Sequence, residues 1–458
     1  MTAVEKIEGQ YLPTPGVTRF YSRISETRMA RDRFVIRSDD RSVETLRPTF
    51  VDSASIDLIR PLLTRRHELH HYSLLTSSGL GLLLWQIDLV SDDLVFGGTP
   101  RSTRVAQAVQ GIERFPSIDI LNKFSSALLV DENLTLGAFV DLANQAEELL
   151  ADYWGIAARV WDTRLPRHDH YLGSDRARAI SALEIIESAA RFDELRLLTS
   201  TDRVLPKQLL YQWQRSSVHG NYRRGVERLT WEVGSVDISS HICDEALQGD
   251  LVLVASRVGT PIIVEQALPT WRFNSLIAQY RDCLVPVDTG EERLIKLGPS
   301  IMYERVDLDP AERLGADPEA HIFDQTYRRW MLDRYVKGLQ LRAKGVVPHA
   351  MTSLEDARAL HASGGFQPLV EFYDDDVLFN PEVLAGDPNL LIQCYVEVVY
   401  AALAEALRTQ SRDLTHLRPL ETAIADAIGA EVFDDNHYDI HTLVSYMLET
   451  EADEHFVI

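Results

Sequence analysis

The chain has 458 residues, 45% of them hydrophobic and 25% charged, which is long enough and apolar enough for two or three domains with a substantial core and excludes a disordered or low-complexity protein. A net charge of −23 leaves no basic footprint, so a nucleic-acid binder is excluded as well. No apolar run reaches the roughly 18 residues that a transmembrane helix needs, so no membrane span is expected.

Residues 1–50 read as an extended, Arg-rich lead-in, broken at Pro13, Pro15 and Gly16, with one short strand at Arg33–Arg37. Its first eight residues lack the basic-then-apolar pattern of a secretory signal. Cys243, Cys283 and Cys394 are too few and too scattered for a disulfide framework or a thiolate zinc site. The expected location is cytoplasmic.

Residues 51–290 read as a helical domain. Ser53 and Ser55 are candidate caps for its first helix, and Pro61 fits either early in that helix or as its first residue. Apolar residues from Leu74 to Leu84 continue the segment, with Gly79 and Gly81 as points where it kinks or ends. Helices follow at 117–130 and from Thr135 to Trp154. A polar loop, Arg164–Ser174, leads to a helix from Arg176 to about Leu198, with Ser174 or Asp175 as its cap. Further helices are expected at 206–214, 221–233, 238–257 and 270–283.

Texture changes between Pro286 and Pro299, which places a boundary near 290. Residues 291–458 read as an acidic, mainly helical region, with helices at 311–344, 352–362 and 388–409. Its last part, 351–458, holds 4 Lys and Arg against 21 Asp and Glu, a net of −17. That is a solvated face or a surface for a basic partner. The expected fold is mainly α: a multi-helical bundle around one helix, with a second helical region after it.

The helix in question carries His67-Glu68-Leu69-His70-His71, an H-E-x-x-H pattern formed by His67, Glu68 and His71. Residues four apart stack on one helical face, so both imidazoles can hold one divalent metal. Glu68 can then reach a water on that metal and act as general base. His70 lies about 100° from His71 and leaves that face. Arg65 and Arg66 put charge just before the motif, which suits a His- and Arg-rich surface helix equally well.

Two imidazoles do not complete a catalytic zinc site, which takes three protein ligands. Leu74 and Ser77 exclude the elongated H-E-x-x-H-x-x-G-x-x-H form. The third ligand therefore comes from elsewhere, most simply a carboxylate on a second helix. Glu184 and Glu187 sit in the apolar, small-residue run Ala182–Ala190, where a carboxylate is costly to bury unless paired or metal-bound. Ser188, Ala189 and Ala190 let another helix approach closely. Glu187 is the preferred ligand and Glu184 the alternative; whichever does not ligate can orient a His. A plain amphipathic helix would instead pair Glu187 with Arg191 one turn on. On the loop upstream, His170 and Tyr171 can polarise a carbonyl or stabilise an oxyanion, or can be ordinary surface residues. His437, His441 and His455 have no ligand spacing.

Glu68 with His71 also reads as half of a di-iron carboxylate site, but no second E-x-x-H is present. The pairing of His67–His71 with Glu184–Ala190 resembles zincin-type metallopeptidases, closest to the glutamate-zincin arrangement. Residues 222–247 are also similar to poorly characterised bacterial HExxH proteins. The resemblance implies His67, His71 and Glu187 as zinc ligands and Glu68 as the base of a peptidase or amidase with a peptide or protein substrate. The charged residues before His67 depart from the pattern. Two other functions fit the residues. One is a non-haem Fe2+ oxygenase or peptide hydroxylase using a His/His/Glu facial triad, with Arg65, Arg66 or Arg191 anchoring an oxoacid. The other is a non-catalytic helical interaction or regulatory protein with a degenerate metal site.

Overall fold

The computed structural model describes residues 9–12, 17–20, 22–23, 25–27, 34–40, 43–48, 56–96, 116–130, 134–154, 157–166, 180–199, 213, 220–248, 261–282, 330–332, 334–335, 338, 368, 370–373 and 377–379. They are mostly helical, as the sequence leads one to expect. The lead-in, by contrast, supplies four strands rather than one. β1 (Gly9–Leu12) and β2 (Val17–Phe20) pair antiparallel, with Leu12 opposite Val17. β3 (Phe34–Asp40) is the strand foreseen at 33–37, and it forms a separate ribbon with β4 (Val43–Pro48). The first pair is hidden in the sequence because four-residue strands are too short for alternation to stand out.

α1 (Ile56–Leu75) starts directly after Ser55 and takes Pro61 inside it, the earlier of the two starts the sequence allows. It ends at Leu75. Three hydroxyl residues then make a tight elbow: Thr76 Oγ1 donates to the Tyr72 carbonyl and Ser77 Oγ to that of Ser73, both at 2.6 Å. Ser78 Oγ accepts from the Gly81 N–H at 3.0 Å and so caps α2 (Gly79–Phe96). The two helices are bent by 84° across this break. Glycine is needed at 81 because a Cβ there would lie 2.0 Å from the Leu75 carbonyl oxygen. No single helix among the described residues is long and apolar enough to cross a membrane; only the bent pair Arg60–Leu75 and Gly79–Ser91, taken together, reaches that length and apolarity.

α3 (Pro116–Val130) opens on proline, whose missing N–H costs nothing at a helix start. α4 (Leu136–Trp154) is capped by Thr135, which accepts from the Ala138 N–H at 3.2 Å. Phe124, Phe139 and Trp161 pack ring on ring between them. Trp161 belongs to β5 (Trp161–Asp162), which pairs parallel with β6 (Ile262–Ile263).

α5 (Ala182–Thr199) begins six residues later than the sequence reading placed it. The expected caps, Ser174 and Asp175, lie outside the described residues, and Ser181 caps the observed start: its Oγ accepts from the Glu184 N–H at 3.2 Å, while Glu184 Oε2 accepts from the Ser181 N–H at 2.9 Å. This is a reciprocal capping box, S-x-x-E, written at Ser181–Glu184. α6 (Gly220–Glu232) crosses α5 so closely that a Cβ at Gly225 would sit 2.1 Å from Ser188 Oγ. Ser188 thus serves the α6 contact. α7 (Val236–Ala246), the four-residue α8 (Val264–Ala267) and α9 (Pro269–Asp282) complete the bundle. One continuous apolar core runs from α1 to α9.

β7 (Val370–Phe372) lies parallel to β2 and antiparallel to β8 (Val377–Phe379), giving the sheet order β1-β2-β7-β8. The sheet therefore joins residues from both sides of the expected boundary near 290, which itself lies outside the described residues. Residues 330–332 are helical, within the stretch foreseen at 311–344, and nearby Tyr335 stacks on Trp85 at 5.4 Å. The helices expected at 352–362 and 388–409, and 206–214 apart from Trp213, also lie outside.

Candidate metal centre

α1 lays its polar face against α5. Four apart on α1, His67 and His71 meet edge to face, with ring centroids 4.5 Å apart and planes at 88°. Across from them stands Glu187, one oxygen for each ring: Oε2 is 3.0 Å from His67 Nε2, and Oε1 is 3.4 Å from His71 Nε2. The three candidate ligand atoms all lie within 4.8 Å of one another. A tetrahedral zinc site with bonds of 2.0–2.2 Å has ligand–ligand edges of about 3.3–3.6 Å, which the two His–Glu187 separations of 3.0 and 3.4 Å approach.

Glu184, the alternative ligand, faces away from the imidazoles. Its oxygens accept from Arg224 Nε and NH2, each at 2.8 Å, besides closing the capping box. The task of orienting a His falls instead to Glu194, which the sequence reading missed. Glu194 Oε1 lies 2.7 Å from His67 Nδ1. Its other oxygen accepts from Arg191 at 2.6 Å and from the Trp213 indole N–H at 2.7 Å. Arg191 also stacks over the Trp213 ring at 4.3 Å. The Glu187–Arg191 pair of an ordinary surface helix is replaced by Arg191–Glu194. Glu187 and Glu194 are seven apart on one helix, a spacing that puts both on the same face; that periodicity was the available signal.

The remaining α1 residues are accounted for. Arg66 is held by Asp193 through Nε at 2.5 Å and NH2 at 3.1 Å, and His70 Nδ1 sits 3.4 Å from the same carboxylate. His70 thus points off the ligand face, as expected. Arg65 forms a two-pronged pair with Glu371 at 2.9 and 2.8 Å. None of the three arginines considered as an oxoacid anchor lacks a carboxylate partner. His170 and Tyr171 lie outside the described residues.

Electrostatics separates the roles. Burial raises the Glu68 carboxyl above its usual pKa; the His71 and His67 imidazoles pull it back, while Glu187 and Glu194 push it up again. Burial alone would also raise Glu187, but His71 and His67 outweigh it and hold this carboxylate well below the usual range. His67 is the converse case. Its burial disfavours charge, yet Glu187 and Glu194 hold its pKa well above the ordinary value. Without a metal, the two carboxylates therefore favour the protonated form of the His67 ring, whose nitrogens lie 2.7 Å from Glu194 and 3.0 Å from Glu187.

The charge balance tests whether these donors fit a cation. Among the described residues, the α1–α5 contact around Glu187 holds four carboxylates, Glu68, Glu187, Asp193 and Glu194, against two guanidiniums, Arg66 and Arg191. Fully ionised, that leaves two negative charges, which one divalent ion would cancel with both imidazoles neutral. Such an ion at His67 Nε2 would take the place of a proton and leave the Nδ1–H bond to Glu194 intact. The outer-sphere support is one-sided: His67 Nδ1 has Glu194, whereas His71 Nδ1 is buried with no hydrogen-bond partner among the described residues. The donor set fits zinc, and equally Fe2+.

Comparison of the chain with protein-family models, with curated proteins and with solved structures finds no match.

Proposed function

We propose that the chain is a zinc-dependent hydrolase acting on peptide or amide bonds. The observation that carries this reading is the convergence of His67, His71 and Glu187 on one point, with Glu68 buried beside them. His67 and His71 would present Nε2 to the ion and Glu187 its carboxylate. Bound there, zinc would supply Lewis acidity toward a carbonyl and lower the pKa of a water. Glu68 would take the proton from that water and pass it to the leaving amine. Burial, which raises its pKa, favours its taking up that proton. Glu194, tied to Arg191 and Trp213, would hold the His67 ring in its ligating orientation.

Fe2+ with the same triad is the second reading, an oxygenase or peptide hydroxylase. The engagement of Arg65, Arg66 and Arg191 by carboxylates weighs against it, since an oxoacid co-substrate needs a basic anchor. A non-catalytic interaction or regulatory protein is the third. The substrate is a peptide or protein, and neither nucleic acid nor membrane is a partner in this reading. A cytoplasmic setting is part of this reading, resting on the sparse, scattered cysteines of the sequence.

The test is Glu68→Gln. It should keep one equivalent of zinc and lower peptide or amide turnover by about 10²–10⁴-fold, the usual contribution of a general base. Unchanged turnover in this variant would refute the assignment of Glu68.

A further inference from the structure

Because the two imidazoles stand on α1 and the carboxylate on α5, the spacing of the ligands depends on how α1 is rotated against α5. Consecutive residues just before His67 fix that rotation from two sides. Arg66 reaches α5 through Asp193. Arg65 reaches the other way, to Glu371 on β7, 306 positions along the chain. Both contacts are two-pronged, and such a fork fixes the plane as well as the distance of its partner. Glu371 is itself buried and immobilised: Tyr373 donates its hydroxyl to Glu371 Oε2 at 3.0 Å. The strand that carries it is locked in register, Glu371 opposite Thr18 of β2. Arg65 thereby ties the metal helix to a sheet built from both ends of the described chain.

We infer that Glu371 is a positioning residue for the metal centre, acting through Arg65, and that metal affinity depends on the Arg65–Glu371 contact between α1 and β7. This rests on the zinc site proposed above. A purely structural ion pair between the same groups would contribute to stability alone; a positioning pair must also move metal affinity in a chain that remains folded.

The experiment is zinc titration of the full chain against a chromophoric chelator, at a temperature where circular dichroism shows each variant folded. Glu371→Gln keeps an acceptor for Tyr373 and removes the charge that orients Arg65. It should weaken zinc binding about tenfold, in the range of outer-shell partners. Arg65→Lys keeps the charge without the fork and should do the same; it decides the matter if Glu371→Gln does not fold. In an Arg65→Met background, Glu371→Gln should cause no further loss. Glu147→Gln, in a polar cluster remote in sequence from both helices, is the control that lowers melting temperature and leaves zinc affinity unchanged. Wild-type affinity in both single variants, even with lowered melting temperatures, would overturn the inference while leaving the site standing. Failure of the wild type itself to bind zinc would overturn both.

Discussion

Glu147 and Glu187 are carboxylates on long helices of the same bundle, and their surroundings differ in one respect. Glu147 is fully buried and closed: Arg159 Nε and NH2 meet its two oxygens at 2.7 and 3.2 Å, and the Trp161 indole N–H adds a third bond at 3.4 Å. Asn144 completes the neighbourhood by bonding the Trp161 backbone at 2.7 and 3.2 Å. One negative charge meets one positive charge. Around Glu187 the carboxylates outnumber the guanidiniums by two among the described residues, and Glu187 faces two imidazoles, groups that can hold either a proton or a metal ion. The lesson is that burial of a carboxylate does not by itself mark a site. The sign and exchangeability of what balances it do.

Breaking the closed cluster should have the largest effect on stability. Glu147→Ala removes the buried carboxylate that both Arg159 and the Trp161 indole are bonded to and should cost about 3 kcal/mol in denaturant unfolding, with zinc affinity of the folded fraction unchanged. A loss of zinc binding at matched folding would erase the distinction between the two clusters.

Next in size is Glu194→Gln, which keeps an acceptor for His67 Nδ1–H but removes its charge. Zinc binding should weaken about 10–100-fold, with a smaller effect on thermal stability. Unaltered affinity would mean that Glu194 is part of the packing and not of the centre.

The smallest effect is on pH dependence. Burial would raise the Asp193 carboxyl, but the Arg66 guanidinium and His70 hold it well below the usual range. Its folded pKa is depressed, so its contribution is fully present above the unfolded value of about 3.8 and is lost as pH falls through the folded value. Wild-type stability should therefore decline below pH 4 more steeply than that of Asp193→Asn. Parallel acid-unfolding curves would contradict that assignment.

Much of the centre was legible from sequence because it is written locally. The i, i+4 spacing of His67 and His71 is a property of one helix, and the apolar run Ala182–Ala190 marks its helix as packed, which leaves Glu187 only partly exposed. The choice between Glu184 and Glu187 was also legible, through Ser181-x-x-Glu184, a capping box that commits Glu184 to the helix start. Glu371 was not. Its role depends on a strand pairing between residues 306 positions apart from the helix it holds, and no local pattern encodes that. Glu194 falls between these cases: its heptad spacing from Glu187 was visible, but the partner it would meet depended on how α1 lies on α5. The mainly α fold could be read from helical periodicity, whereas β1, β2, β7 and β8 are three or four residues each and gain their order only from one another.

The central claim is that the surplus negative charge between α1 and α5 is the seat of a divalent ion. It is tested most directly by metal analysis of the purified chain beside the His67→Ala/His71→Ala double variant, both folded by circular dichroism. The account predicts close to one equivalent of zinc in the wild type and none in the variant. One equivalent of iron would keep the centre and move its chemistry to the oxygenase reading. Equal metal content in the two proteins, or none in either after reconstitution with zinc, would contradict the claim.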